Sequence, residues 1–174
     1  MSAALKPVGD LVLREDRGPV AWLTLNRPAA RNALSVDLMT ALEGALDTVA
    51  ADRAIRVVVI AGAGPAFCAG HDLREVRGAN AETHAALFAQ CSRLMQQITS
   101  LPIPVIARVH GIATAAGCQL VATCDLAIAA DTARFATPGV NIGADDEVFV
   151  VGHWRGFQDG TARLDCSWRD EERR

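Results

Sequence analysis

The sequence predicts an α/β fold in which strands and helices alternate along the chain. Three observations carry this. Apolar runs rich in β-branched residues, Val57-Val58-Val59-Ile60 and Val105 to Val109, are short enough for buried strands. Between them lies a stretch, Ala81 to Ser100, whose apolar positions recur at helical spacing. The order strand, strand, helix repeats, and such alternation favours parallel strands joined by right-handed crossovers.

The elements follow in order. Leu11 to Arg14 and Val20 to Leu25 read as a strand pair joined by a turn-like segment, Glu15-Asp16-Arg17-Gly18-Pro19. A helix is signalled from Ser35, with Ser35 or Asp37 as cap and Leu38, Met39, Leu42, Ala45, Leu46 and Val49 on one face, ending near Ala51. Arg56 to Ile60 is the next strand, and its unbroken apolarity predicts cover on both faces. The helix over 81–100 carries Ala85, Phe88, Cys91, Leu94, Met95 and Ile98 on its predicted stripe and stops at Pro102 and Pro104. Val105 to Val109, Ala115 to Cys124 and Leu126 to Ala130 complete the pattern as strand, helix and strand.

Two loops hold the chemistry. Pro65-Ala66-Phe67-Cys68-Ala69-Gly70-His71-Asp72-Leu73 follows the strand ending at Ile60 and consists largely of small residues. Gly70 lets the backbone approach a ligand closely, so the group offered there is a main-chain N–H. His110 to Leu120, which contains Gly111 and Gly117, reads as a strand turning into a helix whose first N–H groups carry partial positive charge. Two such donors suit a carbonyl oxygen that becomes negative.

Phe67-Cys-Ala-Gly-His-Asp72 and Gly111-Ile-Ala-Thr-Ala-Ala-Gly-Cys-Gln119, with Asn26-Arg27-Pro28, Arg31-Asn32-Ala33-Leu34 and Phe135-Ala-Thr-Pro-Gly139, resemble the motifs of the enoyl-CoA hydratase/isomerase (crotonase) superfamily. The order and separation of these motifs, over roughly residues 10 to 143, make the match specific. The resemblance sharpens the fold to the crotonase ββα superhelix. It implies an acyl-CoA thioester as substrate or ligand, and a place in fatty-acid metabolism. The backbone N–H groups of His71 and Ala116 would form an oxyanion hole, and no further cofactor or metal is implied. Arg27 and Arg31 would lie near the CoA phosphates. Ala66, Phe67, Ala69, Gly70 and Asp72 would border the CoA. Family members assemble as homotrimers or hexamers.

One departure from the family concerns the reaction. Hydration of an enoyl thioester requires a carboxylate pair to position water and move its proton. Where hydratases of the family have those glutamates, this chain has Gln119 and Gly139. An amide has no useful basicity near neutral pH and glycine has no side chain, so hydratase activity is not expected to follow from the resemblance. A non-catalytic acyl-CoA-binding or assembly role is the alternative. A serine protease of the related ClpP-type fold lacks a Gly-x-Ser-x-Gly elbow.

Several side chains carry two readings. The His71 imidazole either titrates usefully or only hydrogen-bonds within its loop; Asp72 is read as a cap for the following helix. Cys68 would be a nucleophile only beside a base, and His71 is its only near neighbour in sequence that qualifies. The five cysteines show no disulfide or zinc spacing and read as free thiols. A net charge of −3 gives no basic face for nucleic acid, and the apolar runs are too short to span a bilayer. The first ten residues lack the features of a signal or transit peptide, which reads as cytoplasmic, with a mitochondrial location as the alternative.

After Gly143 the pattern breaks. Residues 144–174 are crowded with charge, hold two of the three tryptophans and match nothing in the family, so 1–143 reads as the crotonase-like core and 144–174 as a tail. A change of reading frame near Gly143 explains that tail, with a natural short variant as the alternative; either leaves the fold truncated. Asp145, Asp146 and Glu147 supply carboxylates there, in no family register. Losing the later helices is expected to uncover apolar surface on the strands and on the helix ending near Cys124, and to weaken the trimer.

Overall fold

The computed structural model describes residues 6–8, 11–77 and 79–137. The first sheet has six strands: β1 (Lys6–Val8), β2 (Val12–Arg17), β3 (Val20–Leu25), β4 (Val57–Gly62), β6 (Val105–Val109) and β8 (Leu126–Ala129), in spatial order β1-β2-β3-β4-β6-β8. The pairs β1/β2 and β2/β3 are antiparallel, and every later pair is parallel. The β2/β3 hairpin is tighter than the sequence suggested. Strand β2 continues through Glu15 and Asp16 to Arg17, leaving only Gly18 and Pro19 to turn, with Gly18 at φ +61°.

Helix α1 (Val36–Ala50) packs on strands β1 to β3 of this sheet, and a second long helix packs against α1. Helix α1 is capped by Ser35, whose hydroxyl accepts from the Leu38 N–H at 3.2 Å. It buries Leu38, Met39, Leu42, Ala45, Leu46 and Val49, the face read from the sequence. Helix α3 (Ala81–Ser100) buries Leu87, Gln90, Cys91, Leu94, Met95 and Ile98. Ala85 and Phe88, expected on that stripe, are exposed instead. Gln90 takes an inward position because its amide donates to the Val36 carbonyl and to Thr40 on α1. Strand β4 buries Val58, Val59, Ile60 and Ala61 in succession, as expected of a strand covered on both faces.

A second, three-stranded parallel sheet was not foreseen. It comprises β5 (Ala66–Cys68), β7 (Ile112–Thr114) and β9 (Arg134–Ala136), in the order β5-β7-β9. The first loop is thus partly a strand, and β7 intervenes between β6 and the short helix α4 (Ala116–Thr123). Each strand is three residues long, and the β5/β7 register shifts between Ala66 and Cys68, so no alternation could develop in the sequence. Strand β8 lies at the edge of the larger sheet, with Leu126 and Ile128 47% and 64% exposed. The tail over 144–174 lies outside the described residues.

One buried side chain ties the two sheets to the chain entering α1. Asn32, fully buried and at φ +54°, donates through Nδ2 to the carbonyls of Ala63 and Ala66, both at 2.8 Å. Its Oδ1 accepts from the Arg27 N–H at 2.9 Å. Replacement by alanine would strand three buried polar groups and keep a strained backbone. Asn32→Ala is expected to lower unfolding free energy by about 3 kcal/mol or more, read as a shift in the urea midpoint.

Candidate active site

Ligands of parallel α/β sheets sit beyond the carboxyl ends of the strands. The two loops singled out from the sequence leave the carboxyl ends of β5 and β7, which are neighbours paired at Ala66↔Ile112 and Cys68↔Ala113. The chain leaves β5 through Ala69 and Gly70, the latter at φ +85°, and reaches His71. There it forms a single parallel bridge with Leu34: the Leu34 N–H donates to the Gly70 carbonyl at 2.7 Å, and the Asp72 N–H to the Leu34 carbonyl at 3.0 Å. In a parallel bridge of this kind the flanking residues make the bonds. The central residue's own N–H points the other way.

The other donor comes from α4. Ala115, its N-cap, has φ +50° and ψ −125° and provides no side-chain hydrogen bond to the first turn. A non-glycine residue in that conformation is strained, and such strain concentrates at functional turns. The Ala115 N–H donates to the Ala136 carbonyl at 2.9 Å, which anchors the turn to β9. The Ala116 N–H is an orphan of the helix start. Among the described residues, neither it nor the His71 N–H has an acceptor.

Close backbone contact brings the two together. A Cβ built on Gly70 would lie 2.9 Å from both the Ala115 Cβ and the Thr114 carbonyl oxygen, and 3.4 Å from the Ala116 nitrogen. A Cβ on Gly117 would collide with the Cys68 carbonyl oxygen. Both glycines are therefore required by proximity. The arrangement presents two unpaired N–H groups at the ends of adjacent strands, a geometry suited to an oxygen acquiring negative charge.

The remaining candidates fall into place unevenly. Gln119 sits one turn into α4, half-buried, and its amide has no hydrogen-bond partner among the described residues. Gly139 lies outside the described residues, as do Asp145, Asp146 and Glu147. Ala66 and Phe67 are fully buried in β5, Ala69 is half-buried and Gly70 is closed against α4. Asp72 caps the short helix α2 (Leu73–Val76), its Oδ1 accepting from the Arg74 N–H at 3.1 Å, as the sequence suggested.

Arg27 and Asp72, both named from the sequence as neighbours of the CoA, are also paired with each other: Arg27 Nη2 donates to Asp72 Oδ2 at 2.8 Å, and Nη1 donates to the Ala33 carbonyl at 2.8 Å. Arg27, followed by the Arg74 N–H, holds the Asp72 carboxyl below its ordinary range. Arg31 differs. It is exposed, at φ +51°, and its guanidinium has no partner among the described residues.

Three of the cysteines are inert. Burial pushes the Cys68 thiol up to about 12, Cys91 to about 11 and Cys124 to about 12, so no thiolate forms near neutral pH. His71 is also shifted by burial, which lowers its imidazole pKa; an interaction with the Leu34 backbone opposes this in part. Its ring meets the Phe88 ring edge-on at 5.2 Å, and Nδ1 is buried without a hydrogen bond among the described residues. Sequence reasoning missed Phe88 as a neighbour of the site, because helical periodicity assigned it to the core. Among the described residues no cluster of three metal-binding side chains exists, and no helix is long and apolar enough to cross a membrane.

With this geometry in place, the chain can be compared with known proteins. The enoyl-CoA hydratase/isomerase family model matches residues 15–155. The chain belongs to that family. It is 45% identical over 147 residues to enoyl-CoA hydratase domain-containing protein 3, mitochondrial, of Danio rerio, covering 82% of this chain and 51% of the relative. With 2,3-dehydroadipyl-CoA hydratase of Escherichia coli it shares 41% identity over 133 residues, covering 76% and 51%. Its fold is similar to the crystal structure of an enoyl-CoA hydratase from Mycobacterium smegmatis, with TM-score 0.74 and 55% identity, covering 78% of this chain and 53% of that one. Human enoyl-CoA hydratase domain-containing protein 3 gives TM-score 0.73 at 41% identity, covering 76% and 53%. These matches establish the crotonase fold. The chain spans about half the length of the relatives it matches.

The buried imidazole gives a sign-definite expectation. A folded pKa below the unfolded 6.5 means that the unfolded chain takes up the His71 proton first as pH falls. This component of stability is complete above pH 6.5 and is lost as pH drops towards the folded pKa. Urea midpoints measured from pH 7.5 down to 5 should therefore fall more steeply for wild type than for His71→Gln.

Proposed function

We propose that this chain binds an acyl-CoA thioester, with the carbonyl oxygen between the backbone N–H groups of His71 and Ala116. The observation that carries this reading is the pair of unpartnered donors at the adjacent ends of β5 and β7. Charge that develops on the thioester oxygen when an enolate forms would be stabilised by about 3 kcal/mol per donor. Of the two arginines, the uncommitted Arg31 is the better candidate for the CoA phosphates. Phe88 and Leu73, both exposed and both following His71 in the sequence, offer apolar surface to an acyl chain.

Hydratase turnover is expected to be very low. Gln119 can hold a water by hydrogen bonds, but it does not exchange protons as a carboxylate does. Fatty-acid metabolism is supported by names such as the short-chain-enoyl-CoA hydratase of Clostridium acetobutylicum. The word mitochondrial in the names of the vertebrate relatives supports the mitochondrial alternative, whereas the bacterial relatives fit the cytoplasmic one. A trimer remains part of the proposal for a chain that covers the relatives' full length.

Calorimetric titration with butyryl-CoA tests the donor assignment. Proline is tolerated at the first position of a helix while removing its N–H, so Ala116→Pro isolates the donor. The variant should bind at least about tenfold more weakly than wild type; equal affinity would overturn the assignment. In a steady-state assay with crotonyl-CoA, wild type should stay far below typical turnover of about 10 per second, and Gln119→Glu with Gly139→Glu should exceed it.

A further inference from the structure

We infer that Arg27 and Asp72 are positioning residues for the His71 N–H, acting as a staple across the bridge that aims it. This deepens the proposed function and rests on it. The backbone around His71 is held to the rest of the protein by one isolated bridge, entered through Gly70 at φ +85°. Two hydrogen bonds on a glycine-flanked loop leave the peptide plane between residues 70 and 71 free to rock. Arg27 removes that freedom. One arm of its guanidinium holds the carbonyl of Ala33, next to Leu34 on one side of the bridge; the other holds the carboxylate of Asp72, next to His71 on the opposite side.

The guanidinium is planar, so the two bonds are made in one fixed geometry, and a lysine cannot reproduce both. The pair is sheltered, with 21% and 10% side-chain exposure, where a charge-assisted contact is less weakened by water. Arg27 is itself fixed, because its own N–H donates to Asn32 Oδ1. Two further bonds bind the same segments, from the Ala69 N–H to the Arg31 carbonyl at 3.0 Å and from the Asn32 N–H to the Arg27 carbonyl at 2.9 Å. Thus the Arg27 and Arg31-Asn32-Ala33-Leu34 motifs do not have to touch the ligand in order to matter to it. They hold the loop that does.

The test uses 2,4-hexadienoyl-CoA, whose absorbance moves to longer wavelength when its thioester carbonyl is polarised by hydrogen bonds, beside free CoA, which has no carbonyl there. Asp72→Asn keeps the oxygen that caps α2 but loses the charge, and Arg27→Lys keeps the charge but loses the fork. Each variant should lose about tenfold more affinity for dienoyl-CoA than for free CoA, together with most of the spectral shift. The double variant should be no worse than either single one, because the pair acts as a unit. A wild-type shift retained in full by both variants would overturn the positioning role while leaving the oxyanion reading intact. Equal losses for free CoA and thioester would make the pair merely structural and likewise overturn it. A wild type that binds dienoyl-CoA without any shift would overturn the oxyanion reading, and this inference with it.

Discussion

Everything at the candidate site depends on how Asn32 holds three separate stretches of backbone at once. Its side chain joins the turn before β5, the end of that turn at Ala66, and the start of the arginine-containing segment at Arg27. A buried amide with all its partners present is rigidifying, whereas a buried carbonyl without a partner is costly. The left-handed backbone at Arg31 and Asn32 is the local strain that this arrangement sustains. From it follow the Leu34–His71 bridge, the direction of the His71 N–H and the closure of Gly70 against α4.

The site is made of backbone more than of side chains. Its two donors are N–H groups, its closest contacts are between glycines and main chain, and the nearest ionisable side chains are buried or paired. Such a construction separates binding from chemistry. In the proposed reading the donors would stabilise charge on an oxygen whichever proton is moved, while the choice of reaction would fall to side chains placed around them. The resemblance puts Gln119, an amide, in one of those places, and it is on that ground that membership in the family and a hydratase reaction are treated as distinct matters for this chain.

Among the described residues β8 is an edge strand of the larger sheet, and its Leu126 and Ile128 are exposed. An uncovered parallel edge carries both apolar area and unpaired backbone groups, a combination that invites association.

How much was legible in the sequence follows from length and periodicity. The faces of α1 and most of α3, the cap at Ser35, the cap at Asp72 and the continuous burial of β4 were all readable, because each is set by local spacing and local hydrogen bonding. The close backbone approach at Gly70 and Gly117 was readable as well, since small residues after an apolar run announce it. Tertiary structure alone decided the rest. Strands of three residues have no period, so the second sheet emerges only from pairing between distant segments; Phe88 faces His71 because Gln90 finds partners on α1; and Arg27 meets Asp72, 45 residues away, because a single bridge brings them together. A charged side chain carries in its sequence no record of its partner, which is why the pairing of Arg27 with Asp72 could not be read from the motifs that contain them.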